Sequence, residues 1–315
     1  MGGPVPPRAR IALTLGDPAG IGPEIVATAA GVALEAFPAL SLVLVGPAGV
    51  ADRMAARLGP RVEAATQRPF SGPVGRPSAE SGRAALEALS TAIALAQRGE
   101  VQALTTAPLS KEAIVLAGST DRGHTEILER ELGRGPVAMA FFGDRLRVAL
   151  ITAHLSVREM LAALSMTRVV DVARLLADSL RRFRRVGQPR LALAGLNPHA
   201  GENGLMGDEE GRILAPAVAA ARAAGIALDG PFPADTLFRR AYDGEFDGVV
   251  AIYHDQALIP VKLLGLGASV HLTLGLKVLR TSPDHGTAFE LVGTGRARPE
   301  GMISALKLAA ELLGA

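Results

Sequence analysis

Cysteine is absent from the 315-residue chain, so it carries no disulfide, no thiolate zinc site, no iron–sulfur cluster and no thiol nucleophile. Aromatic residues make up only 3%, and no lysine- or arginine-rich block interleaves with them, which speaks against a nucleic-acid partner. Charge of one sign is lacking too: 33 basic residues against 31 acidic ones leave a formal net charge of +2. The longest apolar stretch, LSLVLVGPAGV around residues 40–50, is too short and too broken by glycine and proline to span a bilayer. The opening MGGPVPPRARIALTLGDPAG has proline and arginine where a signal peptide would have an apolar run. The expectation is a cytoplasmic protein that engages neither membrane nor nucleic acid. Lysine is scarce: Lys111, Lys262, Lys277 and Lys307 are the only four, and arginine is the default cation. A lysine retained against that background is a candidate for chemistry that needs a compact charge. With 49% apolar and 20% charged residues, the chain is globular, and its length suits one large or two ordinary domains.

Strand-like and helix-like segments alternate along the chain. Arg10–Leu15, Leu42–Val45, Val101–Thr105, Arg190–Leu196, Gly248–Tyr253 and Val270–Leu274 read as strands. Val137–Phe142 and Leu146–Thr152 read as a hairpin about Gly143 and Asp144. Helices are expected from about Pro23, over Glu80–Arg98, over Val169–Arg185 and over Pro299–Leu313, with Gln67–Ser78 as a loop. This alternation implies an α/β fold with a mostly parallel sheet, in which ligands sit beyond the carboxyl ends of strands. Five strands are followed there by polar loops: GDPAGIGPE, TTAPLSK, TAHLS, LNPHAGENG and YHDQ.

Three of these loops carry His154, His199 and His254, which are 45 and 55 residues apart and can meet only through the fold. Three imidazoles around an open position make a catalytic divalent-metal arrangement. Each taken singly is equally an ordinary hydrogen-bonded loop histidine. Asp255 and Asp235 could orient such ligands or move protons, or serve as turn and cap residues. GDPAGIGPE (16–24) has the G-x-G of a phosphate loop, but Ile25 stands where a dinucleotide fingerprint needs glycine, and no Gly-Lys-Ser/Thr follows. In GHTEIL, His124 and Thr125 open a helix whose amides favour an anion, although Thr125 could simply be its cap. Lys262 and Arg280 are cations near the expected site or solvated surface charges. Residues 280–301 read as a long loop with four glycines and a histidine, and loops of that length in compact domains are often functional.

At these residues the chain resembles the 4-hydroxythreonine-4-phosphate dehydrogenase family of vitamin B6 biosynthesis. GDPAGIGPE, TAPLSK, GHTE, LNPHAGE, GDEE, ADT, YHDQ and RTSPDHGTA are similar to its signatures and run from residue 16 to about 300. The resemblance implies a three-layer α/β/α fold like that of isocitrate and isopropylmalate dehydrogenases, with two lobes and a cleft. An NAD(P)-binding lobe would take 1–130 plus 285–315, and a metal, substrate and dimerisation lobe 131–284. It implies a homodimer with the active site at the interface, and a divalent metal (zinc, with magnesium or cobalt as substitutes) on His154, His199 and His254. Substrate contacts would come from His124, Thr125, Lys262, His271 and Arg280. NAD or NADP would bind through Asp284, His285, Gly286 and Thr287, since DHGTAFELVGTG is similar to the dinucleotide loop of those dehydrogenases.

The activity implied by the resemblance is oxidation and decarboxylation of a phosphorylated small molecule, 4-phosphooxy-L-threonine, to 3-amino-2-oxopropyl phosphate, with Lys262, Asp255 or Asp235 handling protons. His271 stands where the family has asparagine, and Leu276-Lys277 replaces its usual Leu-Pro after TLG, which leaves room for 4-phosphothreonate or 4-phosphoerythronate instead. A metal-dependent phosphohydrolase is a more distant alternative.

Overall fold

The computed structural model describes residues 9–121, 123–265 and 269–315. The first eight residues of the N-terminal stretch considered above lie outside the described residues. The strands are β1 (Arg10–Thr14), β2 (Ser41–Pro47), β3 (Val62–Gln67), β4 (Ala103–Thr106), β5 (Gly133–Phe142), β6 (Arg147–Leu150), β7 (Leu191–Ala194), β8 (Leu228–Phe232), β9 (Gly248–Ala251), β10 (Val270–Leu276) and β11 (Leu279–Ser282). They alternate with helices, so the class is α/β. The chain divides into two compact units, one of the described part of Met1–Gly133 with Leu276–Ala315, the other Arg134–Gly275.

In the first unit the strand order is β3-β2-β1-β4-β11, and every pairing is parallel. Leu13 pairs with Leu44 on one side and Thr105 on the other. β1, β4 and β11 are buried almost throughout; β1 reads as a mainly apolar run, whereas β4 (ALTT) and β11 (LRTS) bury hydroxyls and the Arg280 guanidinium. Helix Ala79–Gln97 packs on β1, β2, β3 and β4, and helix Glu300–Leu313 on β4 and β11. The first of these begins at Ser78, whose hydroxyl accepts from the Ser81 amide at 3.0 Å.

In the second unit the order is β10-β5-β6-β9-β7-β8. β5 and β6 form the antiparallel hairpin, with Ala140 opposite Ala149. From β6 onward the pairing is parallel through β9 and β7 to β8. Phe141, Leu150, Leu237, Phe238, Val249 and Val261 join one buried cluster beneath these strands.

Three strands, β3, β8 and β11, have no counterpart in the sequence reading. β3 (VEAATQ) and β8 (LDGPF) end their respective strand orders, and their weak β-propensity is overridden by pairing with β2 and β7. The long loop expected over 280–301 starts later, because Leu279–Ser282 is drawn into the sheet beside β4.

Gly82 shows how tightly helix Ala79–Gln97 meets helix Lys111–Leu116: a Cβ there would run into the Ala113 carbonyl oxygen. Helix propensity alone favours alanine over glycine by about 1 kcal/mol. The backbone clash outweighs that gain, so Gly82→Ala is expected to lower the urea midpoint. A midpoint equal to or above wild type would show that the helices can separate at no cost.

Candidate active site

His154, His199 and His254 follow the carboxyl ends of parallel strands, as doubly wound sheets dictate, whereas Arg280 and His271 lie within strands and His124 opens a helix. After β1, GDPAGIGPE turns inward rather than cradling a ligand. Asp17 is fully buried, with its carboxylate accepting from the Ala19 amide at 2.9 Å and the Ser81 hydroxyl at 3.3 Å. Burial pushes its pKa up, against the pull of those two bonds. The Ile21 amide donates to the Thr287 carbonyl at 3.0 Å, and Glu24 accepts from the Gly293 amide at 2.8 Å. Gly20 is required, because a Cβ would lie 2.8 Å from the Thr287 carbonyl oxygen. This loop is therefore a seat for the segment around 287–293 and not a phosphate loop, in keeping with its failed fingerprint.

Beyond β4 and β11 lies a group suited to an anion. Arg280, 2% exposed, is part of β11 and donates to the Thr106 hydroxyl at 2.8 Å. Neighbouring Thr105 and Thr281 hydroxyls are 3.0 Å apart. Burial pushes the Arg280 guanidinium down to about 9, which leaves it charged at neutral pH. His124 opens helix His124–Leu132, and its pKa is held well below the ordinary value by burial and then by the Arg280 charge. The imidazole is thus neutral at pH 7 and able to donate one hydrogen bond. The cap of this helix is Gly123, not Thr125, so no side chain occupies the first amides. Thr125 stands one residue into the helix, and the stem of Lys111 passes close to Gly123. A buried guanidinium, a neutral imidazole and an uncapped helix start can together receive a phosphate.

In the second unit β6, β9 and β7 are consecutive parallel neighbours, so the loops bearing His154, His254 and His199 leave adjacent strands in the same direction. His154 and His254 come together, with ring centroids 5.8 Å apart and planes tilted by 42°. They share a cleft of about 280 Å³ with Asp255, Tyr253, Leu155 and Val157. His254 Nδ1 lies 2.7 Å from Asp255 Oδ1. An ionised carboxylate only accepts, so Nδ1 carries the proton and Nε2 keeps its lone pair for a cation. These two imidazoles are donors of the kind a zinc-class ion takes. Among the described residues, no group of three or more His, Cys, Asp or Glu is close enough to hold a metal ion.

His199 does not line that cleft. It is exposed, on a turn over Pro198–Gly204 in which His199, Ala200, Gly201, Glu202 and Asn203 all have left-handed dihedrals, with φ of 52°, 52°, 77°, 41° and 57°. Four of the five are not glycine, and each such residue costs about 1–2 kcal/mol, so the turn persists only because its surroundings hold it. Those surroundings are residues that sequence reading did not single out. Buried Glu210 accepts from the Leu196 and Asn197 amides, and Gln256 bonds to Ile252 and Gly195. The signal was there in GDEE and in the glutamine of YHDQ, as polar residues beside Gly-rich loops.

The remaining candidates are placed separately. Asp235 is exposed in the first turn of helix Ala234–Tyr242, after β8. Lys262 is exposed on helix His254–Gly265, eight residues and about 12 Å along the axis beyond His254. His271 is half-buried on β10 and stacks on Phe141, with centroids 5.3 Å apart. Asp284 is half-buried, His285 and Gly286 are exposed, and Thr287 is buried; open space surrounds the Gly286 α-carbon. A loop with bare backbone and a carboxylate beside it fits the polar groups of a dinucleotide.

The family model for the pyridoxal phosphate biosynthetic protein PdxA matches residues 39–309. The chain is 44% identical to 4-hydroxythreonine-4-phosphate dehydrogenase of Beijerinckia indica, with 96% of this chain and 94% of that protein covered. It is 42% identical to D-threonate 4-phosphate dehydrogenase of Salmonella typhimurium, covering 96% and 98%. Among solved structures it is similar to 4-hydroxythreonine-4-phosphate dehydrogenase from Klebsiella pneumoniae, with TM-score 0.86, 42% identity and coverage of 96% and 99%. A fold-level likeness extends to isocitrate dehydrogenase from Methylococcus capsulatus, with TM-score 0.51, 16% identity and coverage of 97% and 86%.

A buried guanidinium whose pKa falls on folding costs stability at every pH below about 9, and the cost fades as pH rises through that value. Arg280→Met, similar in volume and uncharged, is expected to raise the melting temperature at pH 7 in phosphate-free buffer. It should also abolish the further rise that inorganic phosphate gives the wild type. An undiminished phosphate effect in the variant would place the anion elsewhere.

Proposed function

The chain belongs to the pyridoxal phosphate biosynthetic protein PdxA family, and from that premise we propose that it catalyses the NAD(P)-dependent oxidative decarboxylation of 4-phosphooxy-L-threonine to 3-amino-2-oxopropyl phosphate. The observation that carries this reading is the pair of imidazoles, His154 and His254, sharing one cleft while the His199 loop leaves the adjacent strand. A phosphohydrolase could use such a cleft, but dehydrogenases are what the relatives are named.

The substrate phosphate binds to Arg280, His124 and Thr125 at the helix start. His154, His199 and His254 would hold a divalent cation of the zinc class, which would supply a Lewis acid for the substrate alcohol and for negative charge on its oxygen. Asp284, His285, Gly286 and Thr287 would hold NAD or NADP, which would supply the hydride acceptor. Asp255 keeps the His254 ring oriented through the 2.7 Å contact. Lys262 returns a proton to the carbon that lost carboxylate, and Asp235 accepts the proton of the alcohol. His271 meets the end of the substrate remote from the phosphate.

Exposed Leu155 and Val157 line the imidazole cleft, and Leu161, Ile259 and Leu263 are exposed on the helix that follows His154 and the helix that begins at His254. Exposed large apolar side chains of this kind suit burial by another subunit. We take the working form to be a homodimer with the active site at the interface, so that a second chain completes the metal set. The site roles and this assembly are one reading, which a cytoplasmic location suits.

A second reading is favoured by the relatives that are named D-threonate 4-phosphate dehydrogenases at 42–43% identity. The two substrates differ at the carbon bearing nitrogen or oxygen, which would fall near His271.

The test is the absorbance of reduced nicotinamide with 4-phosphooxy-L-threonine and with D-threonate 4-phosphate, using NAD and NADP, with and without chelator. The proposed reading expects the higher kcat/KM on the first substrate, loss of activity with chelator, and a fall of at least about 10³-fold for His254→Ala, the several kcal/mol that a lost metal is worth. A preference for the threonate selects the second reading. Phosphate release without nicotinamide reduction would end both.

A further inference from the structure

The GDEE segment and the glutamine of YHDQ have no part in the reaction as described, yet both converge on the root of the His199 turn. Glu210 is 6% exposed. Its Oε1 accepts from the Leu196 amide at 2.8 Å and the Asn197 amide at 2.7 Å, and its Oε2 accepts from Asn197 Nδ2 at 2.9 Å. Asn197 Nδ2 also donates to Glu209 Oε2 at 2.8 Å. The turn closes down on this carboxylate: a Cβ on Gly201, where φ is +77°, would lie 2.8 Å from Glu210 Oε2. Gln256 spans two strand ends. Its Oε1 accepts from the Ile252 amide at 2.7 Å, just after β9, and its Nε2 donates to the Gly195 carbonyl at 2.7 Å, just after β7.

We infer that Glu210 and Gln256 are positioning residues that hold the left-handed turn in shape and lock its root to the His254 loop, so that the two imidazoles are presented at a set spacing. This rests on the reading of His199 as a metal ligand. The strands end at Ala194 and Ala251; just beyond them the Gly195 amide still bonds the Phe232 carbonyl and the Thr152 amide the Ile252 carbonyl, and these two side chains take the Gly195 carbonyl and the Leu196, Asn197 and Ile252 amides. Their absence would leave three amides and a carbonyl without these partners and the strained turn without its brace.

Near-isosteric variants test the inference in the full-length protein. Glu210→Gln keeps one acceptor but sets an amide donor against Asn197 Nδ2. Gln256→Glu sets a carboxylate oxygen against the Gly195 carbonyl. Zinc affinity of the metal-free protein is measured by competition with a chromophoric chelator, backbone hydrogen exchange is followed over 196–206, and inorganic phosphate binding serves as the control. The expected result is a zinc dissociation constant raised about 10–100-fold, the usual reach of groups that orient metal ligands. Exchange over the turn should quicken while phosphate affinity stays unchanged. His199→Ala separates the two claims. If it binds zinc like wild type, the ligand reading fails, and the inference with it. If it weakens zinc while both other variants bind normally, the inference alone is overturned. Equal losses of zinc and phosphate affinity would mark general unfolding and overturn it too. Should Glu210→Gln fail to fold, Gln256→Glu carries the test.

Discussion

Parallel pairing of β6, β9 and β7 is the constraint on which the site of the second unit depends. Parallel strands point their carboxyl ends one way, so chain segments 45 and 55 residues apart are delivered to one edge without any local signal linking them. The register Leu150 with Ala251 sets the two loops side by side at one edge of the sheet, where the His154 and His254 rings come within 5.8 Å. A slip of one residue would turn these side chains to the other face.

Around the sheet ends, polar and charged groups are buried for reasons other than stability. Arg280 lies in a parallel strand at 2% exposure, where an apolar residue would serve the fold better. In the proposed reading its worth is in the phosphate it would meet, together with neutral His124 at a helix start. Asp17 and Glu210 are the opposite case. Each buried carboxylate is met by donors from backbone and side chain, and each fastens a loop: Asp17 its own turn to Ser81, Glu210 the His199 turn. Loops that must hold a fixed shape beyond the sheet need such internal partners, because the ladder no longer supplies them.

GDPAGIGPE, one of the family's motifs, follows β1 and has a fastening task beneath the Thr287 segment. That task explains how a loop so rich in glycine can lie outside the chemistry: Gly20 is there for the close approach of another backbone.

Much was legible from residues alone. Buried strands such as RIALT and GVVA announce themselves as short apolar runs, the β5–β6 hairpin by its Gly-Asp turn, and the α/β class by their alternation with helices. The strand-end rule then singled out the loops of His154, His199 and His254. Edge strands β3 and β8 escaped, since their weak propensity is overruled only by partners distant in sequence. So did the burial of Arg280, because a loop-like composition says nothing of a neighbour such as β4. The left-handed turn and its brace of Glu210 and Gln256 were decided by tertiary structure alone, since a dihedral sign and a hydrogen bond between residues 13 or 61 apart exist only once the strands have paired. Sequence determined which chemical groups could act and at which end of the sheet, through periodicity that is local; their spacing and protonation came from burial and contact, which are not.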